Sequence, residues 1–488
     1  MLRWPHLAAA LLIAAAPFAA TADPGDVFYV NAASPAESPD GLSWTTAYRT
    51  LAEGIERARA SFGGEVWVAE GVYNELRASE GGALFLQPGV DLYGGFEGTE
   101  ELRQLRDPLL HPTVIDGSAA NGGQPAAPVV FGANNVIIDG FTIRGGRGEV
   151  GPGMIINEVS PRIVDCVFTD NAATGFGGAV ITIGAASPRF VGCVFTNNTA
   201  ARSGGAVTNS GATPLFEDCL FSLNEATEAG GAVFNTPGSD VTIEGCTFER
   251  NKSGAGGGAI FNEGASPYIA GSIFLRNASD SFGGALFNNR AADAGPSDVL
   301  AINCVFAKNT AAEGGGAIST LGSTFTAVNC TIADNTAPEE SGGAFFNNDA
   351  TTEVLNSIIW YNSDEWIVNL LSFTEIRWSN VGGGDRGPNN IAAEPRFANR
   401  AGDDYSLLPQ SPSIDVGTAA GAPRVDILGT ARPQFDEVDQ GAYESRDRAL
   451  PDGGCHGHGG SDTTADGLTL LAAGALLAAF RRAGVRRR

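Results

Sequence analysis

Between residues 129 and 362 apolar and polar positions alternate over short runs, and the same run returns again and again. One copy reads Phe216-Glu217-Asp218-Cys219-Leu220-Phe221-Ser222-Leu223-Asn224. Aligned on its cysteine, the copies place Cys166, Cys193, Cys219, Cys246, Ser272, Cys304, Cys330 and Ser357 in one column, at spacings of 27, 26, 27, 26, 32, 26 and 27. Two residues on, the column is Phe168, Phe195, Phe221, Phe248, Phe274, Phe306, Ile332 and Ile359. Five residues on it is Asn171, Asn198, Asn224, Asn251, Asn277, Asn309, Asn335 and Asn362, without exception. Asp139 and Phe141 stand 27 residues before Cys166 and Phe168, which places a degenerate copy there. Seven of the copies also carry a Gly-Gly-Ala element, from Gly177–Ala179 to Gly342–Ala344, and Phe234, Phe261, Phe287 and Phe346 follow two residues after the Ala.

A fixed period of this size belongs to a solenoid, whose units bury their apolar face only by stacking. No stretch of the repeat keeps a 3.6-residue period long enough for a helix, whereas alternation cut by Gly, Asn and Asp is the mark of strands. The residue before each cysteine position is Asp165, Gly192, Asp218, Gly245, Gly271, Asn303, Asn329 or Asn356. These types tolerate left-handed backbone angles, so a one-residue bend is expected there. Gly-Gly supplies a corner, after which Ala and Phe are expected to point inward and Asn to end the strand. The pattern predicts an all-β parallel β-helix with like residues stacked ~4.8 Å apart. Nine rungs then span on the order of 40 Å. Stacked cysteines have parallel Cβ vectors, which disfavours the dihedral of a disulfide; they are read as reduced packing residues.

The repeat resembles the right-handed parallel β-helix family, and in particular the chlamydial polymorphic outer-membrane repeats. Gly257-Gly258-Ala259-Ile260 and Phe248-Glu249-Arg250-Asn251 carry that likeness. The right hand of the helix is what the resemblance implies. Upstream, Leu51, Ile55 and Ala58 lie at helical spacing within Thr45 to Ala60, and Gly63-Gly64 ends the segment. A short amphipathic helix there would cover the open end of the β-helix and its unpaired strand edge. The stretch from Gly41-Leu42-Ser43-Trp44 to Gly71-Val72-Tyr73 resembles the N-terminal segment of secreted bacterial β-helix proteins.

The two ends of the chain speak about location. Arg3, the apolar run Leu7 to Phe18 and Ala20-Thr21-Ala22 read as a secretory leader over residues 1–22. At the other end Gly454-Cys455-His456-Gly457-His458 precedes an apolar stretch, Gly467 to Phe480, and a cluster of five arginines. The stretch is shorter than the ~20 residues of a stable membrane span. It is similar to the myxobacterial C-terminal anchoring signal, which implies that Cys455 is the processed or modified residue and that the tail is the only part that associates with a membrane. Asn390 to Phe397, Ser411 to Gly417, Asp426, Arg432-Pro433 and Asp439 to Glu444 are similar to the choice-of-anchor Q region found before such signals. The layout expected is a leader at 1–22, an N-terminal cap with first coils at 23–125, the repeat array at 126–377, C-terminal coils and cap at 378–445, a linker at 446–466 and the sorting tail at 467–488. Asp415, Asp426, Arg432 and Asp439 are expected to make structural ion pairs and turn bonds.

Composition narrows the partners. The chain carries net charge −25, and removing both ends strips six arginines but only two carboxylates, Asp462 and Asp466. So acidic a body repels nucleic acid and anionic lipid. An extracellular glycan or a surface protein is the partner expected of a protein displayed at the cell surface, at the outer membrane or outside the cell. Catalysis has little to work with. His111 is the sole histidine outside leader and tail, Gly457-His458-Gly459 lies in the tail, and no Arg-Ile-Lys occurs, so the polygalacturonase set is absent. No catalytic residue and no metal set is assigned. The one carboxylate candidate is Glu217 above Glu244, outward-facing at equivalent positions of adjacent coils. Stacked like charges repel unless solvated or bridged by a cation, calcium being the one such a pair would take; a solvated ladder is the simpler reading. The sequence therefore points to an adhesin, matrix-binding or glycan-binding rod, with a polysaccharide lyase or glycoside hydrolase as the alternative the fold would also host. The extra residues of the longest coil, Arg290 to Asp298, are read as a loop insertion that leaves the stacked core intact, either a binding feature or a tolerated surface insertion.

Overall fold

The computed structural model describes residues 26–77, 80–363, 365–384 and 387–448. The leader, Cys455 and the tail lie outside the described residues. Most coils of the array are built from four short strands, and the last two, around Cys330 and Ser357, from three. Around Cys219 the four are Leu215–Glu217, Leu220–Ser222, Glu225–Ala226 and Val233–Asn235. Every strand pairs in parallel with its counterparts in the coils before and after. Phe216 lies between Phe190 and Ile243, Phe221 between Phe195 and Phe248, and Asn235 between Asn209 and Asn262. The stacks form sheets of 13, 12, 7 and 11 strands, so the chain is an all-β parallel solenoid, with a single α-helix among the described residues.

The bend before each cysteine position is present in all eight copies, with φ between 48° at Asp165 and 63° at Gly245. It turns the chain between the first and second sheets and sends the cysteine and the following aromatic inward, where Phe195, Phe221 and Phe248 stack at 4.6 Å between centroids. Both glycines of the corner are required, for different reasons. The first, such as Gly204, has φ 70°, in the left-handed region. The second has no room for a side chain: a Cβ on Gly205 would come within 2.1 Å of the Gly231 carbonyl oxygen. The six described cysteines are buried and free, and burial pushes the thiols of Cys166, Cys219 and Cys304 well above their ordinary pKa.

The asparagine column forms a continuous amide ladder. Asn251 Oδ1 accepts from both the backbone N–H and the Nδ2 of Asn224, at 3.1 and 3.0 Å, while Asn251 Nδ2 donates to Asn277 Oδ1 at 2.9 Å and to the Phe221 carbonyl at 2.9 Å. A second ladder runs inside the fourth sheet through Asn209, Asn235, Asn262 and Asn288, at 2.8–2.9 Å.

The rod is longer than the repeat suggests. Val27–Val30, Gly64–Ala69 and Val90–Phe96 are already rungs of the first sheet, so its 13 strands span on the order of 60 Å at ~4.8 Å each. The degenerate copy is present but sits two residues off the expected frame: Ile143, not Phe141, pairs with Phe168. Gly140, with φ 80°, takes the bend position, and its N–H donates to the Val164 carbonyl at 3.0 Å, which fixes that register. The helix starts later than the spacing indicates, at Leu51–Ala60, because Thr50 and Glu53 form a capping box. Leu51, Ile55 and Ala58 are buried as expected.

The end of the chain is more than stacked coils. Ile391 continues the stack beside Asn380, and residues 396–445 then run back along the flank of the second sheet. Where this strap lies, the bend residues are Asn303, Asn329 and Asn356 rather than the Asp or Gly of earlier coils. Their Nδ2 groups donate to the carbonyls of Val425, Asp439 and Thr418 at 2.7, 2.9 and 2.8 Å. Asp403 bridges Arg276 and Lys308, each at 2.6 Å, and Arg432 pairs with Glu444 at 2.9 Å with both side chains fully enclosed. Asp426 accepts from the N–H groups of Leu428 and Thr430 and, through its other oxygen, from that of Glu444. The loop at 290–298 folds on itself through a bridge between Ala291 and Gly295. No helix among the described residues is long and apolar enough to cross a membrane.

Candidate functional site

The phenylalanines of the Gly-Gly-Ala element do not point inward, as the sequence suggests. In Val233–Asn235 the inward positions are taken by Val233 and Asn235, and the period of two puts Phe234 on the outer face. Phe234, Phe261 and Phe287 form a separate apolar cluster outside the main core, together with Ala229, Phe176 and Phe282. Their rings follow one another along the rod: Phe176 to Phe234 at 6.3 Å, Phe234 to Phe261 at 5.6 Å, Phe261 to Phe287 at 5.0 Å.

Opposite this row stands the wall made by the residues just before each corner. Its successive members are Phe176, Ser203, Ala229, Gly256 and Phe282, linked by the backbone bonds from Gly177, Gly204, Gly230 and Gly257 to the next coil. Where the wall residues are small, a lengthwise groove of about 730 Å³ opens over the rings. Phe176 closes one end, and Phe282, 6.0 Å from Phe287, lies at the other. Gly256 is needed here, because a Cβ would come within 2.3 Å of Phe287 Cδ1. Hydroxyls and charges line the rim. Arg202 lies over the Phe176 ring at 4.6 Å and pairs with Glu228 at 3.5 Å. Thr208 donates to the Ser203 carbonyl at 3.2 Å, and Ser210, Thr236 and Glu263 complete the lining. The signal for this groove was in the sequence: an aliphatic residue between the Ala and the Phe reverses the side on which the Phe emerges.

Glu217 and Glu244 are stacked as expected, at paired positions of the first sheet. Arg162 and Arg189 are likewise paired, and Arg189 Nη2 lies 3.4 Å from Glu217 Oε2. Burial, and then the charge of Glu217, pushes the Glu244 carboxyl above its ordinary pKa against the pull of Arg189; burial and Glu217 do the same to Asp218. Both glutamates lie on one face of one sheet, and this ladder and the groove are built on different sheets, the first and the fourth. Among the described residues no group of three or more His, Cys, Asp or Glu is placed to hold a metal. Asp439 and Asp415, expected to be structural, serve the strap: Asp439 accepts from the N–H groups of Asp415 and Ser445 at 2.9 and 2.7 Å, and Asp415 pairs with Arg448 at 2.5 Å.

The sequence model of the family described as "Right handed beta helix region" matches residues 203–335, and that of the Chlamydia polymorphic membrane protein repeat matches residues 192–210. With the parallel solenoid, these matches make the chain a right-handed β-helix repeat protein. The sequence matches no curated protein. Among solved structures it is similar to the pectate lyase Pel9A, at 14% identity over 86% of this chain and 96% of that one, with a TM-score of 0.40. It is also similar to XylC solved in complex with xylose, at 8% identity over 86% and 99%, TM-score 0.44, and to a rhamnogalacturonan lyase, at 15% identity over 78% and 92%, TM-score 0.39. At those scores the likeness carries no argument about activity.

Proposed function

We propose that the chain is an exported, surface-anchored β-helix that acts as a non-catalytic interaction module, an adhesin that takes an extracellular glycan laid along its groove. The observation that supports this reading is the groove itself. It runs with the rod axis, phenylalanine rings form its floor, and its rim offers Ser210, Thr236, Glu228, Glu263 and Arg202. A mostly apolar concave surface with a few convergent polar groups is a binding site in its general form, and hydroxyls and carboxylates over aromatic carbon suit the mixed faces of a sugar chain. The leader and the sorting tail support display outside the cell, as does the match to a polymorphic membrane protein repeat. A panel of polysaccharides and matrix glycans, tested against the full chain and Ala229→Trp, decides the matter. Binding to a glycan by the former and at least a tenfold loss in the latter is expected, because the indole fills the groove. Glycan binding that Ala229→Trp leaves intact would move the site elsewhere; binding only to a surface protein would replace the glycan.

One observation favours a second reading, a polysaccharide lyase or glycoside hydrolase. The raised Glu244 carboxyl stacked beside Glu217 and Arg189 is the kind of perturbed cluster that active sites contain. Release of reducing ends or unsaturated sugar, with calcium and with chelator, tests it. Turnover lost in Glu217→Ala, Glu244→Ala would locate catalysis on that ladder and overturn the adhesin.

A further inference from the structure

The last coil departs from the coils before it. Its fourth-sheet strand, Ile367–Leu370, pairs with Phe345–Asn348 on one side and is the edge of its sheet on the other. Three outward or turn positions that are Asn348, Asp349 and Thr351 in the preceding coil become Leu370, Leu371 and Phe373. These three are 46%, 93% and 59% exposed. Leu371 also adopts φ 53°, where earlier coils place Gly184, Gly211, Gly264, Gly322 and Asp349. Leucine is disfavoured in that backbone region, and its exposure recovers nothing. Local rules broken without a gain inside the chain are a sign of a surface that acts on something else.

The edge itself is unfinished. In the preceding coil the N–H groups of Phe345 and Asp349 donate to the carbonyls of Trp366 and Leu370, each at 2.9 Å. The equivalent donors one rung on belong to Ile367 and Leu371, and no acceptor meets them among the described residues. The inner amide ladder stops in the same way. Asn369 Oδ1 accepts from Asn347 at 3.0 Å and from Thr374 at 2.7 Å, while Asn369 Nδ2 donates to no described residue. The other end of the rod is closed: the helix Leu51–Ala60 buries its apolar face there, and Gly54 lies so near Val30 that a Cβ would approach it to 2.5 Å.

We propose that the Ile367–Phe373 edge docks a second copy of this chain, joining two rods end to end about a twofold axis. A twofold along the sheet normal reverses strand direction, so the two edge strands meet antiparallel. Centred on Asn369, the register is self-complementary. Asn369 exchanges both backbone bonds with the partner's Asn369, and the N–H and C=O of Ile367 meet those of the partner's Leu371. Val368 then opposes the partner's Leu370 on the outer face. Head-to-tail stacking is blocked by the helix at the far end, so the assembly closes as a dimer and does not grow into a filament. Charge favours this site. The chain carries net charge −25, yet Ile367 to Phe373 contains no charged residue, so two acidic rods can approach here.

Light scattering and sedimentation velocity on the full chain, whose monomer is 50.2 kDa, test the proposal, with three altered chains beside it. A reversible dimer is expected for the full chain. Leu371→Gly keeps the left-handed turn and relieves its strain, so it melts no lower than the parent while its dimer dissociates at least tenfold more readily. Leu371→Gly with Phe373→Thr, which restores the pattern of earlier coils, is monomeric. A chain ending at residue 448 still dimerises. A monomer at every concentration, or a dimer indifferent to both substitutions, overturns the proposal. Loss of the dimer on removal of 449–488 also overturns it and gives the association to the tail.

Discussion

The inner face of the array and the strap at 396–445 both bury polar groups on the same scaffold, and they satisfy them in opposite ways. Along the array the Nδ2 of each ladder Asn donates to the Oδ1 of its copy in the next coil, so one neutral residue type closes the whole ladder. The strap crosses each coil once and has no copy of itself to bond to. It is held by unlike groups: Arg432 with Glu444 and the carbonyls of Asp439 and Gly441, Asp403 with Arg276 and Lys308, and the bend amides of Asn303, Asn329 and Asn356 with strap carbonyls. Repetition makes neutral self-pairing sufficient, whereas a single crossing needs charge and dedicated partners. The neutral ladders should therefore be insensitive to pH and very sensitive to the loss of one amide, whereas the contacts of the strap should respond to pH.

The largest effect is expected at the middle of the unbroken ladder. Asn251→Leu removes the acceptor of the Asn224 N–H and Nδ2 and the donor to the Phe221 carbonyl, all buried. With the bond to Asn277 Oδ1, four buried hydrogen bonds are lost, so denaturant unfolding should show a loss of about 5 kcal/mol. Asn262→Leu in the second ladder strands only side-chain groups, at Asn235 and Asn288, and should cost about 2 kcal/mol. Equal costs at the two sites would show that the backbone bonds of the first ladder contribute nothing.

Next comes the strap. Arg432→Met leaves Glu444 enclosed without its cation, beside Asp426 and Asp439, and should destabilise the strap by about 3–4 kcal/mol. Hydrogen exchange should show the loss confined to 396–445 and the coils beneath it, with the amides around Cys219 unchanged. Spread of the effect through the whole array would mean that strap and solenoid unfold as one unit.

The strap should also respond to pH, with opposite signs at its two ends. Burial pushes the Asp439 carboxyl up to about 7, against the hydrogen bond from Ser445. Its folded value is above the unfolded ~3.9, so its contribution is complete below that and is lost as pH rises toward 7. Asp403 is opposite: burial raises it, but Lys308 and Arg276 outweigh that and hold it below its usual value. Its contribution is present above the unfolded value and is lost as pH falls through the lowered one. Protease nicking of the strap should be slowest between these limits and faster at pH ~8 than at ~5. Asp439→Asn should reduce that difference, and an unchanged difference would place the titration on another group.

How much of this was readable beforehand follows the same division. The bend residues, the corner glycines, the inward Cys and Phe columns and the Asn ladder are repeated, so seven or eight copies vote on each position and the vote is correct. The placement of Phe234, Phe261 and Phe287 was misjudged because the corner resets the alternation. Only the aliphatic residue between Ala and Phe reveals the shift, and with it the groove. The strap was read as residues with structural roles, and their partners were invisible because each contact occurs once and at no fixed spacing, from 62 residues between Asn356 and Thr418 to 127 between Arg276 and Asp403. Yet a trace existed. The bend column changes from Asp and Gly to Asn at Asn303, Asn329 and Asn356, where an amide donor became useful. The Glu217–Glu244 pairing was legible from spacing alone, whereas the raised pKa of Glu244 depends on burial that spacing does not report.

The smallest effect tests the principle at its weakest point. The second ladder breaks between Asn288 and Thr320, at the coil whose extra loop lengthens the repeat. Asn288 Nδ2 and Thr320 Oγ1 are both buried and both without a partner, although the two residues are paired across the rung and Asn347 follows on the next. Threonine is too short to carry the chain of amides across. Thr320→Asn should accept from Asn288 and donate to Asn347 Oδ1, which now takes one bond, from Thr352. Completing the ladder should add about 1 kcal/mol, a gain that thermal melting can resolve. A neutral or negative result would mean that the larger amide does not fit between its neighbours, and that self-pairing stabilises only where the coil geometry repeats without interruption.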